Sequence, residues 1–310
     1  MNQNHLTYVL ITAARDEEEF IELTIRSVLR QSVRPMKWII VSDGSTDRTD
    51  EIVNTHVADN PWMELLRMPD RRDRHYEGKA LCFRAGWERV KDLQSDIVGN
   101  LDADISFDGD LLGFLLSKFA ANPRLGLGGP AFSEQGVTYD YRFSSLEHVS
   151  GQCQLFRREC LDAIGGYLPI KSGGIDVVAG LMARMKGWQT MTFPERTVVH
   201  HRPTGAAKDP GLKTKLKRGT LDYMLGRHWL WELFRSLYQM TRPPVIVGGA
   251  SVLAGYVWAM VSGVERPVSR DVVQFQRQEQ MERLKRLFLQ LVPFRRDVPR
   301  REPSGDQVDA

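Results

Sequence analysis

The feature that most constrains this chain is an alternation of two periodicities. Short apolar runs fit for buried strands, Tyr8–Ile11, Trp38–Val41 and Ile97–Leu101, are separated by segments of helical period such as Ile21, Ile25, Val28 and Leu29. The pattern continues with expected strands at Glu64–Arg67, Leu125–Phe132, Gly151–Phe156, Thr190–Phe193 and Thr197–His200. Helices are expected near Thr46–Ala58, Lys79–Val90, Asp110–Ala121, Arg158–Ile164 and Asp176–Lys186. Such β-α-β alternation implies an α/β domain with a mostly parallel sheet and helices on both faces. Ligands of such sheets bind at the carboxyl ends of the strands. The acids Asp16 to Glu19 are expected at a helix N-terminus, where the dipole favours them.

Composition narrows the class further. The 310 residues, 42% hydrophobic and 26% charged, suit one large folded domain or a domain with an appendage. A net charge of +3 carries no nucleic-acid signal, and no nucleic-acid partner is expected. Cys82, Cys153 and Cys160 are odd in number and lack zinc spacing, so they read as free thiols in a reducing, cytosolic compartment. Met1 to Thr12 has no basic region followed by a long apolar run, and does not read as a secretory signal.

Two motifs sit where the alternation puts strand ends. Asp102-Ala103-Asp104 follows a buried-strand run directly, and two carboxylates one residue apart can face one divalent cation of the hard, oxygen-seeking kind, Mg²⁺ or Mn²⁺. The bland alternative is a solvated turn capping the next helix. Val41 to Asp47 (VSDGSTD) places an acid at a strand end, then glycine and small polar residues that open a helix. That suits a nucleoside pocket in which Asp43 accepts from base or ribose, and it suits equally an ordinary β-to-α turn with Ser45 as N-cap.

Taken together and in order, VLITAARDEEEFIELTIRSVLRQS, WIIVSDGSTDRTDEIV, GNLDADISF, GQCQLFRRECLDAIGGY and GIDVVAGLMARMKGW resemble the family-2 glycosyltransferases with the nucleotide-binding GT-A fold. The resemblance spans about Thr7 to Pro203, and the tail after Arg218 looks like that of bacterial members linked to exopolysaccharide synthesis. It implies inverting, metal-dependent transfer of a sugar from a nucleoside diphosphate to a hydroxyl, on a glycan or lipid-linked acceptor. Ala13, Arg15 and Glu17 would line the nucleotide pocket with Asp43, Ser45, Lys79, Asp102 and Ala103. Asp104, with Asp102, would hold the metal. One imidazole of His200-His201 would join the metal or the departing phosphate, and His201 is taken as that ligand. Asp176 falls where the family places its catalytic base, although Ile175 stands where the usual motif has Glu; on spacing alone Asp176 reads as a helix N-terminal acid. Arg71, Arg72, Arg74 and His75 form a basic cluster with Lys79, either solvated or near the diphosphate. Gly165-Gly166-Tyr167 is expected to start an acceptor loop, with Gly173-Gly174 giving it freedom to close. A non-catalytic nucleotide-sugar-binding or scaffold member is the alternative reading.

The resulting division is a GT-A catalytic domain over residues 1–205, a helical region over 206–294 with a hydrophobic segment at 243–263, and a polar tail over 295–310. Lys213, Lys215, Lys217 and Arg218 cluster ahead of an aromatic helix containing Trp229 and Trp231. Val245 to Val261 is uncharged and mostly apolar, close to the length that spans a bilayer core. Basic residues on both of its sides argue for a segment lying on the cytoplasmic face of the cell membrane, with Trp229, Trp231, Tyr256 and Trp258 at the headgroups. A homodimer contact is the second reading and a single span the third.

Overall fold

The computed structural model describes residues 6–69, 75–134, 137–138, 145–202, 211–242 and 244–291. Arg71, Arg72 and Arg74 of the expected basic cluster, and the 295–310 tail, lie outside them.

Nine strands form one sheet: β1 (Tyr8–Ala14), β2 (Lys37–Ser42), β3 (Met63–Arg67), β4 (Ile97–Asp102), β5 (Ile105–Ser106), β6 (Leu125–Glu134), β7 (Val137–Thr138), β8 (Cys153–Arg157) and β9 (Gln189–His200). Their order is β3-β2-β1-β4-β8-β6-β9-β5, with β7 paired to β6. The pairings set β1, β2, β3, β4, β6 and β9 in one direction and β5, β7 and β8 against it. The sheet is thus mostly parallel, as expected, but β8 enters it reversed between β4 and β6.

Each apolar run supplies both faces, because successive strand side chains point oppositely. Val9, Ile11, Ile39 and Val41 face one core, and Tyr8, Leu10, Trp38 and Ile40 face the other. The first core is covered by α3 (Glu77–Val90), α5 (Arg158–Ile164) and α6 (Ile175–Met185). The second is covered by α1 (Ile21–Leu29), α2 (Thr49–Asp59) and α4 (Leu111–Ala121). The two strands expected at Thr190–Phe193 and Thr197–His200 are one strand, β9, with a bulge. Its partner β6 passes from Pro130 opposite Phe193 to Ala131 opposite Thr197, so Pro194, Glu195 and Arg196 are accommodated as extra residues.

Among the described residues four further helices follow: α7 (Leu212–Met224), α8 (Trp229–Met240), α9 (Val247–Val261) and α10 (Arg270–Leu291). The apolar segment is α9, which packs its Gly248, Gly249, Val252, Gly255, Tyr256 and Ala259 face inward. Glycine is needed where the helices cross: a Cβ on Gly219 would lie 1.8 Å from the Val252 carbonyl oxygen, and one on Gly255 2.0 Å from that of Leu216. The other side of α9 is exposed, with Trp258 60% and Val261 79% accessible. Among the described residues no helix is long and apolar enough to cross a membrane. Tyr256, expected at a headgroup surface, is instead buried, its hydroxyl donating to the Arg227 carbonyl at 2.7 Å. The helical region is tied to the sheet domain by Arg184 of α6, which donates through two nitrogens to Glu279 of α10 at 2.7 and 2.9 Å.

Candidate active site

The carboxyl ends of β1, β2 and β4 meet at one edge of the sheet. In register, Ala13 of β1 lies between Val41 of β2 and Asp102 of β4, so the expected nucleotide residues converge there. The acids after β1 have a different job from the one expected of them. Helix α1 begins only at Ile21, and Glu22 is the acid in its first turn. Asp16, held at φ 55°, accepts from the Thr46 amide at 2.9 Å. Glu18 accepts from the Arg48 amide at 3.1 Å, while Asp47 accepts from the Glu18 amide at 2.9 Å. These reciprocal bonds staple the β1–α1 loop to the β2–α2 loop. Ser45 belongs to the same staple: its hydroxyl accepts from the Asp16 amide at 3.2 Å and lies 3.1 Å from the Ser42 hydroxyl. It is therefore not an N-cap; α2 starts at Thr49, beside the Asp47 carboxylate. Arg15 lies with its Nη1 3.6 Å from Asp43 Oδ2, joining the two loops.

At the same strand ends, Asp102, Asp104 and His200 offer ligand atoms that all lie within 4.8 Å of one another. Asp102 ends β4, and Asp104 follows in the turn to β5. His200 ends β9, where pairing with Ile105 of β5 brings it alongside. Its Nε2 is 3.3 Å from Asp104 Oδ2 and its Nδ1 3.6 Å from Glu134 Oε2. The structure brings His200, and not the expected His201, to these carboxylates, since neighbours along an extended chain face opposite ways. His201 points to the far side, with Nε2 2.8 Å from Ser106 Oγ and its ring stacked on Phe20.

The donors fit a divalent cation. Removal from water pushes the Asp102 carboxyl up, and Asp104 adds to this, against the attraction of Lys79. Burial alone would lower His200, yet the hydrogen bond and charge of Asp104 outweigh it and raise the imidazole. Among the described residues the Nδ1 of His200 is buried without a hydrogen-bond partner. A carboxyl crowded by a second one, beside an imidazole, is the arrangement a cation would relieve.

Lys79, on the first turn of α3, pairs with Asp102 and donates to the Gly151 carbonyl at 2.8 Å. Ala103, between the two carboxylates, is buried and helps to fix their turn. His75 is exposed just ahead of α3.

Gly151 connects the Asp102–Asp104–His200 cluster to Asp176. A Cβ on Gly151 would lie 3.2 Å from Asp176 Cβ, so the two sides of the site touch across this one backbone turn. Asp176 stands in the first turn of α6 after Gly173 and Gly174, whose φ of 99° and 81° favour glycine. Ile175, where the family has Glu, is buried in the core. Asp176 opens into a cavity of about 200 Å³, lined also by Phe132, His148, Arg218, Leu221 and Leu225. Tyr167, expected in an acceptor loop, is buried beneath: its hydroxyl donates to Gln154 and its ring packs edge-on to Phe83.

Two residues of this site escaped sequence reasoning. Arg202 donates to Glu17 Oε2 at 2.7 Å and to the Asp16 carbonyl at 2.9 Å, with its Nε 3.9 Å from Asp104 Oδ2. It joins the expected nucleotide residue Glu17 to the Asp102–Asp104–His200 cluster; its place two residues after His200 was the available signal. Arg218 reaches the Asp176 cavity from α7, which no local pattern announces.

Comparison with known proteins places this architecture. The poly-β-1,6-N-acetyl-D-glucosamine synthase of Staphylococcus aureus (strain COL) is 25% identical over 181 residues, covering 58% of this chain and 39% of that protein. That of Staphylococcus epidermidis is 26% identical over 178 residues, 57% of this chain and 38% of that one. The chain thus matches well under half the length of these relatives. Among solved structures, the mannosyltransferase PcManGT from Pyrobaculum calidifontis, in complex with GDP-Man and Mn²⁺, superposes with a TM-score of 0.56 at 18% identity, over 94% of this chain and 82% of that one. S. aureus TarS 1-349 with UDP-GlcNAc gives 0.53 at 12%, over 83% and 73%. These likenesses show the GT-A fold. The family profile described as glycosyl transferase family 2 matches residues 9–176, more than half of the chain, and the chain belongs to that family.

Proposed function

We propose that this chain transfers a sugar from a nucleoside diphosphate to a hydroxyl on a glycan or lipid-linked acceptor, with inversion and with a divalent metal, Mg²⁺ or Mn²⁺. The observation that carries the reading is the pairing of an Asp102–Asp104–His200 cluster with a carboxylate, Asp176, on the other side of Gly151. The polysaccharide synthases among its relatives support the same class of product.

Each group has a task under this reading. The stapled loops present Asp43, Glu17 and Arg15 to the nucleoside. Asp102, Asp104 and His200 hold the cation, which when bound supplies positive charge to the diphosphate. Asp176 takes the proton of the acceptor hydroxyl, whose oxygen attacks the anomeric carbon from the side opposite the departing phosphate. The bond between that carbon and the phosphate oxygen breaks, and the charge left on the diphosphate meets Lys79 and Arg202. One carboxylate serving one displacement gives inversion. The scaffold alternative is not favoured, since every group this chemistry requires is retained.

The site of action under this proposal is the cytoplasmic face of the cell membrane. Support comes from the outer side of α9 and its approach, where Val245, Ile246, Trp258 and Val261 are exposed, and from the exposed Lys213 and Lys217 on α7, the helix that crosses α9. Apolar groups beside cations suit an anionic bilayer surface. Sedimentation with vesicles, compared with Trp258→Asp, tests this; vesicle-independent dimerisation lost in that variant would assign the face to a second copy.

The catalytic reading is tested by calorimetric titration with UDP, GDP and dTDP in Mn²⁺ and then in EDTA. Binding of one nucleotide that EDTA abolishes is expected. Asp176→Asn should keep that binding and lose transfer, measured as nucleotide release with acceptor. Near-normal turnover in Asp176→Asn would remove it as the base.

A further inference from the structure

The cavity beside Asp176 has a wall whose charge the transfer reaction alone does not explain. Behind it lies a buried ionic cluster on α7, α8 and the turn between them. Asp222 is 0% exposed, with Arg227 Nε 2.9 Å from its Oδ1, Arg235 paired to its Oδ2, and Arg218 Nε 3.4 Å from Oδ1. Glu232, also 0% exposed, lies 3.5 Å from Arg235.

Among the described residues, the three guanidiniums of this cluster outnumber its two carboxylates by one formal charge. The surplus is localised. Arg227 and Arg235 are 15% and 20% exposed and make the shorter contacts, whereas the Arg218 side chain is 48% exposed. Among the described residues its ion pair is the long one through Nε, and Asp222 Oδ1 accepts no hydrogen bond there. Arg218 is also the member of the cluster that lines the Asp176 cavity.

A guanidinium held by its Nε edge presents its two terminal nitrogens as a fork, the geometry that matches carboxylate and phosphate. The rest of the cavity wall includes Phe132, Leu221 and Leu225, which would cover the apolar face of a sugar ring. A volume of about 200 Å³ admits a terminal unit and not a chain. Leading outward on the same helix, Lys213, Lys215 and Lys217 carry the positive potential towards solvent, where it draws anions in.

We propose that the acceptor is anionic: a phosphate or carboxylate on the unit that carries the reactive hydroxyl is held by Arg218, across the cavity from Asp176. The inference rests on the glycosyltransferase reading for the word acceptor, but its test does not depend on turnover.

The full chain is titrated with methyl phosphate, methyl glucuronide and methyl glucoside, read by saturation-transfer NMR. Mg²⁺ and excess nucleoside diphosphate are present so that the donor side is filled. Both anionic probes should bind at least about tenfold more tightly than the glucoside and compete with each other. Arg218→Gln should remove that advantage without changing glucoside or nucleotide binding, and Arg218→Lys should keep part of it. Farnesyl phosphate, added as a third anion, separates two sources of the same chemistry. Much tighter binding than methyl phosphate, with the same dependence on Arg218, assigns a lipid headgroup; equal binding assigns an anion on the glycan itself. Equal binding of charged and neutral probes to the wild-type chain overturns the proposal. So does an Arg218→Gln protein that is folded by circular dichroism and still prefers the anions. Failure of the wild-type chain to bind any nucleotide would sink the glycosyltransferase reading instead, and the anion titration would still report on Arg218.

Discussion

Two charged clusters sit on either side of the Asp176 cavity, and they solve the problem of burying charge in opposite ways. At the strand ends, Asp102, Asp104 and His200 crowd acidic groups together, with Lys79 pairing Asp102 and Arg202 at the periphery. At the helices, Asp222 draws in Arg218, Arg227 and Arg235. Under the proposed function the first cluster is completed by a cation from outside. The second has its counter-charges in the chain, with one to spare. A site that exchanges ligands every turnover must keep its charge unbalanced until they arrive. A cluster that orients α7 against α8 has no such need.

The largest expected break of this contrast is at Asp104. Asp104→Asn removes a charge that the cation requires, so metal-dependent transfer should fall by about 10³-fold, with the melting temperature in EDTA unchanged or raised. A loss of transfer matched by unfolding would make the first cluster structural. Asp222→Asn should do the reverse. It leaves guanidiniums in the interior without their carboxylate, at a cost of about 3–5 kcal/mol in stability read by chemical denaturation. Replacing Arg227 by Met in the same chain should recover part of that loss. Equal destabilisation by the single and double variants would show that the charges of this cluster are not what holds it together.

The next effect divides two adjacent histidines. His200→Ala should weaken Mn²⁺ binding by about 10–100-fold, whereas His201→Ala, which loses a contact to Ser106 and a stack on Phe20, should change it by less than about threefold. Equivalent losses would mean that the strand pairing that separates them is incorrect. Proton competition adds a direction. Asp104 raises the His200 imidazole, so metal affinity should climb as pH rises through neutrality and that nitrogen sheds its proton.

The histidines also mark where sequence reading stops. Most strands were legible because apolar runs such as Tyr8–Ile11 and Trp38–Val41 must be covered on both faces, whereas their order in the sheet and the reversal of β8 were not. Asp102 and Asp104 were legible as a site because they follow a strand end. His200 and His201 differ only in which face of β9 they occupy, and that depends on the register between β9 and β5, two short segments about a hundred residues apart. Arg218 was harder still. It read as one of a run of basic residues, and only the crossing of α7 against α9, set by Gly219 and Gly255, turns it towards Asp176. Asp16 and Glu18 misled for a related reason: their acidity suited a helix start, but their partners are amides on a loop some thirty residues away.

The smallest expected effect is an acid limb in stability, and it belongs to the second cluster. Burial by itself would raise the Asp222 carboxyl, but Arg227, Arg235 and Arg218 overcome this and hold it at about 2. An unfolded Asp titrates near 3.9. A carboxylate whose folded value lies below its unfolded one stabilises the protein fully above the unfolded value, and that contribution drains away as pH falls through the folded one. The window is therefore roughly pH 4 down to pH 2. Glu232 works against it: burial and the neighbouring Asp222 raise it, so protonation on acidification favours the folded form. The net loss over the window should be no more than roughly 2 kcal/mol, read from urea midpoints at intervals across it. Arg218→Gln, which removes the most exposed of the three cations, should shrink this limb only slightly, because the closer Arg227 and Arg235 remain. If that variant abolished the limb, the surplus charge would be supporting the fold and would not be free to meet an acceptor.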